Sequence, residues 1–297
     1  MLHRMMTLTA ALLSAALLAP AEAVAQDKGA QDKTPATWPS PVPTRGPVAE
    51  KDKKPAPKRT INGMWSALRV GNQSGGVQLK PNNGKPENEL PYTPYGLQVY
   101  RSHKPLEGKD SVDPADNNDP RTKCEPLGFP RYNHYDLGIQ VFQDEHKIAM
   151  LYNFDNRWRM IWTDGRPLPK VVDGGVEIDG EYREARWMGY SVGRWIDDYT
   201  LEVVTVGTMP EDRVWLDNTG RPISDKARIT ERFHRLDNDT LEWSETIDDP
   251  KIYTRPWDTL KLRMTLQDSR IDLMTRYCSP VEIDNYNKTF GDAAGAN

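Results

Sequence analysis

The stretch Ala227–Ile247 reads ARITERFHRLDNDTLEWSETI, and its alternation decides the fold. Ile229, Phe233, Leu241, Trp243 and Ile247 are all odd-numbered, so two successive strands put odd positions on one apolar face. That parity requires an odd loop, which Asp237-Asn238-Asp239 supplies, and the residue numbers of facing pairs then sum to 476. Phe233 is expected opposite Trp243 and Ile229 opposite Ile247. Glu231 falls opposite Glu245, with Cβ atoms about 4.5–5.5 Å apart. Desolvation and like charge both raise a carboxyl pKa, so one member of such a pair would be a poised acid or base. Two alternatives stand beside that reading: the face points outward, or Arg186, Arg194 or Arg228 neutralises the pair as a structural ion cluster. The opposite face carries Arg228, Thr230, Arg232 and His234 and reads as solvent-facing.

Outward from this hairpin the same period of two recurs. Strands are expected at Ile139–Phe142, Lys147–Phe154, Arg157–Thr163, Arg186–Gly193, Tyr199–Gly207 and Thr259–Leu266, besides the two just described. In Arg157–Thr163 the residues Trp158, Met160 and Trp162 share a face, which is expected to point inward. Turn residues separate most pairs: Asp144-Glu145-His146, Asp155-Asn156, Asp164-Gly165-Arg166-Pro167 and Asp217-Asn218-Thr219-Gly220. Sequential strands joined by short turns make an all-β antiparallel meander, and one of this length closes into a barrel. Residues 61–136 lack the pattern and are rich in Pro, Asn and Gly; they are expected to wrap the barrel or form a lid, with one short helix at Tyr95–Arg101. Residues 137–267 hold the strands and 268–297 form a C-terminal tail of the same domain.

The N-terminus has a different character. Arg4, an apolar run from Leu8 to Ala19 and the small-residue sites Ala21-Glu22-Ala23 and Ala23-Val24-Ala25 read as a secretory signal peptide over residues 1–25. A run this short falls below the roughly 20 residues of a membrane span, so no integral membrane segment is expected after cleavage. Residues 26–60 form a Pro- and Lys-rich stretch expected to be a disordered linker. It carries 8 Lys/Arg against 4 Asp/Glu, so the whole-chain charge of −4 leaves about −8 on the body. An acidic body does not gather phosphates, and nucleic-acid binding is disfavoured. Export places Cys124 and Cys278, the two cysteines, in an oxidising compartment, where they are expected to form a disulfide.

The segments NDPRTKCEPLGFPR (ending at Arg131), WRMIWTDGRPLP (Trp158–Pro169), GYSVGRWIDDYTLEVVT (Gly189–Thr205), LDNTGRPISD (Leu216–Asp225), ERFHRLDNDTL (Glu231–Leu241) and DDPKIYTRPW (Asp248–Trp257) together resemble an uncharacterised family of exported bacterial proteins. The resemblance covers about 119–257 and implies a lipocalin-like or calycin-like barrel, with no activity to carry over. Gly63-Met64-Trp65 is similar to the Gly-x-Trp that opens lipocalin barrels, where the Trp plugs one end; an ordinary first strand is the alternative.

Other candidate chemistry is thinner. Asp197-Asp198 begins a strand at a rim, where one of the two, Asp198, could reach an interior ligand and where turn capping is the alternative. The two Gly-Arg-Pro turns, at Gly165 and Gly220, would present a guanidinium to an anion or mark two similar turns. Gly189-Tyr190-Ser191-Val192-Gly193 has the Gly-x-Ser-x-Gly spacing without the strand-to-helix elbow that exposes a nucleophile. His134, His146 and His234 lack ligand spacing, so no metal and no cofactor are implied. The resulting expectation is a periplasmic or secreted barrel whose interior, lined by Trp158, Met160, Trp162, Trp187, Tyr199, Phe233 and Trp243, binds a small apolar or aromatic molecule. The alternatives are an enzyme using Glu231 and Glu245 for elimination, hydration or isomerisation, and a structural or partner-binding protein.

Overall fold

The computed structural model describes residues 46–66, 79–134, 138–153, 155–169, 186–273, 278–279 and 281. The expected signal peptide, the expected linker up to residue 45 and most of the expected C-terminal tail lie outside these. Ten strands form one sheet: β1 (Gly63–Ser66), β2 (Ile139–Gln143), β3 (Lys147–Tyr152), β4 (Arg157–Trp162), β5 (Tyr190–Trp195), β6 (Thr200–Val206), β7 (Arg228–Arg235), β8 (Thr240–Asp248), β9 (Trp257–Asp258) and β10 (Leu262–Leu266). Strands β1 to β8 are neighbours in chain order, and β10 lies between β8 and β1, so nine strands close a barrel. The short β9 pairs with the far end of β8 (Ile247 with Trp257) while β10 takes its near end (Trp243 with Leu262).

The expected register of the β7–β8 hairpin is the one observed: Phe233 faces Trp243, Ile229 faces Ile247 and Glu231 faces Glu245. The meander is not purely antiparallel, since β4 and β5 run parallel through Ile161–Ser191 and Trp162–Val192. The connection from 163 to 189 is long enough to cross over, and a crossover is what parallel neighbours require. Its last residues, expected to be strand from Arg186, instead form a turn in which Gly189 adopts φ +62° and donates its N–H to Arg186 O at 2.9 Å. The one α-helix among the described residues, α1 (Pro94–Ser102), starts with Thr93 capping Gly96 N at 2.9 Å and Pro94 in the first turn. Gly96 packs so closely on the Ile252 carbonyl that a Cβ there would collide with main chain.

Two apolar clusters stack along the barrel axis. One holds Trp65, Tyr132, Ile161, Leu201, Phe233 and Trp243 within the bore. The other, with Phe129, Leu216, Ile229, Ile247, Ile252 and Tyr253, packs the wrap of residues 79–134 and the 207–227 loop over one end. Phe233 and Trp243 stack at 5.1 Å between centroids, worth about 0.5–1.5 kcal/mol beyond burial. Cys124 and Cys278 form the expected disulfide, closing a separation of 154 residues between wrap and tail.

At the other end, part of the stretch assigned to the linker is docked rather than free. Lys54 O accepts from Asn238 N at 2.9 Å, Arg59 N donates to Asp198 O at 2.7 Å and Thr60 O accepts from Arg235 at 3.1 Å. Lys53 pairs with Asp237, and Lys58 and Arg59 with Asp198. These seven or so residues strap the β5–β6 and β7–β8 turns together. Their sequence gave no warning because most of the bonds use main-chain atoms, which any polar segment can offer.

Candidate functional site

The strands that carry the hairpin also carry a polar layer between the two apolar clusters. Moving along β7, the inward residues are Ile229, Glu231, Phe233 and Arg235; along β8 they are Leu241, Trp243, Glu245 and Ile247. Glu231 and Glu245 are thus the level at which the bore turns polar, joined by Thr205 from β6, Ser191 from β5, Arg159 from β4 and Tyr152 from β3. A single turn of 3-10 helix, Arg131–His134, enters from the wrap and is wholly buried. Arg131 anchors it, binding both Asp119 oxygens at 2.9 and 2.5 Å, which delivers Asn133 and His134 to the carboxylates.

Arg159 grips Glu231 with both terminal nitrogens, one at 2.9 Å and the other closer still. Its Nε donates to Ser191 Oγ at 3.0 Å, its Nη2 also donates to Thr205 Oγ1 at 2.7 Å, and its guanidinium lies 4.1 Å from the Phe129 ring centroid. Asn133 Nδ2 donates to Glu231 Oε1 at 3.0 Å and to Glu245 Oε1 at 2.9 Å, while its Oδ1 accepts from Tyr152 Oη at 2.6 Å. His134 Nε2 meets Glu245 Oε2 at 2.8 Å, its ring stacked on Trp243. Burial pushes the Glu231 carboxyl above its ordinary pKa, the Arg159 guanidinium pulls it back, and Glu245 adds to the push. Burial also works against the Arg159 charge, but Glu231 outweighs it and holds the guanidinium above its usual value.

The layer is shielded from solvent: Glu231 is 0%, Arg159 1%, Glu245 and Asn133 2% and His134 5% exposed. The geometry is that of the structural ion cluster, with a different cation from those expected: Arg186, Arg194 and Arg228 are all exposed. Sequence reasoning missed Arg159 because Arg157–Trp162 was read with Trp158, Met160 and Trp162 inward. Observed parity is the reverse. Arg159 and Ile161 are buried, Trp158 is 65% exposed, and Met160 and Trp162 are half-buried on the outer wall, where Arg166 covers the Trp162 ring at 3.6 Å. Both parities of WRMIW are amphipathic, and the buried partner for Glu231 decides between them. Asn133, His134 and Tyr152 carried no signal beyond their residue types.

Of the remaining expected ligand-lining residues, Phe233 and Trp243 do face the bore. Trp187 does not: it is half-buried against the end-capping cluster, under Arg213. Tyr199 lies at the rim, 36% exposed. Asp198 points away from the interior and binds Lys58 at 2.9 Å and Arg59 at 3.3 Å, which holds its carboxyl below the ordinary range. Asp197 caps Tyr199 N and Thr200 N, both at 2.7 Å. Ser191 is buried under Arg159, without access to solvent. Both Gly-Arg-Pro guanidinia are engaged by the protein itself, Arg166 by Asp164 and Tyr190 Oη, and Arg221 by Asp217 and the Lys80 and Pro81 carbonyls. His234 sits on the outer side, bonded to Thr200 at 2.7 Å. No helix among the described residues is long and apolar enough to cross a membrane.

The class defined is a closed mixed β-barrel braced by a disulfide, its bore crossed by a compensated charge layer. Comparison of the chain with models of known families, with curated proteins and with solved structures finds no match.

Proposed function

We propose that the chain is an exported, lipocalin-like barrel that works by recognition at its outer wall, the bore serving as a rigid core. The observation that carries this is the buried polar layer: its carboxylates, guanidinium and amide are bonded to one another across the bore and shielded from solvent. Export is supported by the N-terminal signal pattern and by the Cys124–Cys278 disulfide. Catalysis by Glu231 and Glu245 finds no support in this arrangement, because a reacting atom must come within hydrogen-bond reach of an acid or base.

A second reading keeps one specific support. Trp243 Nε1 is buried in the bore without an acceptor among the described residues, and a small apolar ligand bearing one polar atom would satisfy it. Titration with N-phenyl-1-naphthylamine separates the two. The outer-wall reading expects no saturable uptake and no change in tryptophan emission. Stoichiometric uptake, lost in Trp243→Phe, would restore an interior ligand. N-terminal mass analysis of the protein released from cells tests export, with Val24 or Gln26 expected as the first residue.

A further inference from the structure

On the outer wall, β2 and β3 form an open groove enclosing about 430 Å³, lined by Asn62, Gln140, Phe142, Asp144, Lys147 and Ala149. Phe142 is 58% exposed at its edge. A second exposed ring, Trp158, lies beyond the groove on the same outer face. Phe142 is opposite Ala149, and Gln140 is opposite Leu151, which is opposite Trp158. Two strand spacings and two residue rises put Phe142 and Trp158 about 12 Å apart on one face. Small or low side chains lie between two projecting aromatic rings.

We infer that this face binds a neutral glycan chain, an assignment that rests on recognition at the outer wall. A pyranose ring offers an apolar face of C–H bonds, weakly positive, that suits the negative face of an aromatic ring. Its rim of hydroxyls needs both donors and acceptors. Gln140 Oε1, Asp144 Oδ2 and Lys147 Nζ supply them: Lys147 has no ion-pair partner among the described residues, and the Asp144 bonds to His146 N and Lys147 N both fall on Oδ1. The two charges in the groove cancel, and the chain as a whole is acidic, which disfavours a polyanion. An extended peptide has no edge to join, because β2 is paired on both sides by β1 and β3. An open groove with Phe142 at its edge and a second exposed ring about 12 Å away fits a chain that runs across the face.

Calorimetric titration of the full chain, disulfide intact, with cellohexaose, chitohexaose and a neutral octapeptide tests this. Saturable binding of at least one hexasaccharide is expected, weakened tenfold or more in Phe142→Ala and several-fold in Trp158→Ala, with thermal midpoints unchanged because both rings are exposed. The two sugars distinguish a plain from an N-acetylated glycan. If neither binds while the octapeptide binds and loses affinity in Phe142→Ala, the glycan assignment is overturned and the outer-wall reading stands. Hexasaccharide binding that is unchanged in Phe142→Ala overturns the assignment; if that binding is instead lost in Trp243→Phe, the outer-wall reading falls with it.

Discussion

Glu231 and Glu245 face each other directly across β7 and β8, and a single amide nitrogen, Asn133 Nδ2, donates to one oxygen of each at 3.0 and 2.9 Å. The amide stands between two carboxylates that would otherwise repel, and it comes from a turn 98 residues away from Glu231 in sequence. Arg159 and His134 close the arrangement from the two sides.

Removing the cation alone should therefore cost far more than removing the pair. Arg159→Met leaves both carboxylates buried without the guanidinium, and a loss of about 3–5 kcal/mol is expected. Arg159→Met combined with Glu231→Leu should recover most of it, since a well-packed apolar pair substitutes for a buried ion pair at little cost. Denaturant unfolding of the two variants at neutral pH is the measurement. Equal losses in both would mean that packing around Phe129 matters more than charge.

The register of this hairpin was legible because five apolar residues shared one parity and the loop admitted one pairing. Arg157–Trp162 was not legible from itself: WRMIW is amphipathic whichever way it faces, and only the distant Glu231 breaks the tie. The parallel β4–β5 pair escaped for a related reason, as the Asp164-Gly165-Arg166-Pro167 turn suggests a hairpin but opens a crossover. Docking of residues 53–60 depends on main-chain atoms and surface charge, which leave no periodic trace. The disulfide needed no geometry, only the expectation of an oxidising compartment and the count of two cysteines.

Breaking Cys124–Cys278 should destabilise the barrel by up to about 5 kcal/mol, the chain-entropy figure for a loop of this size. Thiol titration of the unfolded, unreduced protein should find no free thiol. The double Cys→Ser variant, compared with the parent in denaturant, gives the magnitude; two free thiols would contradict the pairing.

Truncation should discriminate within the N-terminal stretch. Deleting residues 26–45 is expected to leave the thermal midpoint unchanged, as their composition offers little to bury. Extending the deletion through Thr60 removes the bonds to Asp198, Asn238 and Arg235 and should lower the midpoint by roughly 5–10 °C, the equivalent of about 2–3 kcal/mol. Differential scanning calorimetry of the two truncated forms decides, and equal midpoints would mean that the strap adds nothing.

Asp119 gives the pH dependence a sign. Burial raises its carboxyl pKa, but the charge of Arg131 and its bonds to it outweigh this and hold it below the ordinary value. The unfolded chain therefore binds the proton more readily, so the contribution is complete above the unfolded pKa of about 4 and is lost as pH falls through the folded value. The stability difference between the parent and Asp119→Asn should be constant at neutral pH and shrink below about pH 4. A difference that grows on acidification would reverse the assignment.

The last barrel strand, β10, pairs with the first, Trp65 with Leu266, and Cys278 lies beyond it. During synthesis, or during passage of the chain through a membrane from its N-terminus, neither the seam nor the cross-link can form until almost the whole polypeptide has emerged. Closure at the seam depends on contacts between strands about 200 residues apart, which makes it slow. The chain therefore stays an open sheet until its last strand arrives, and the Cys124–Cys278 bond joins the wrap to residues that lie beyond that strand.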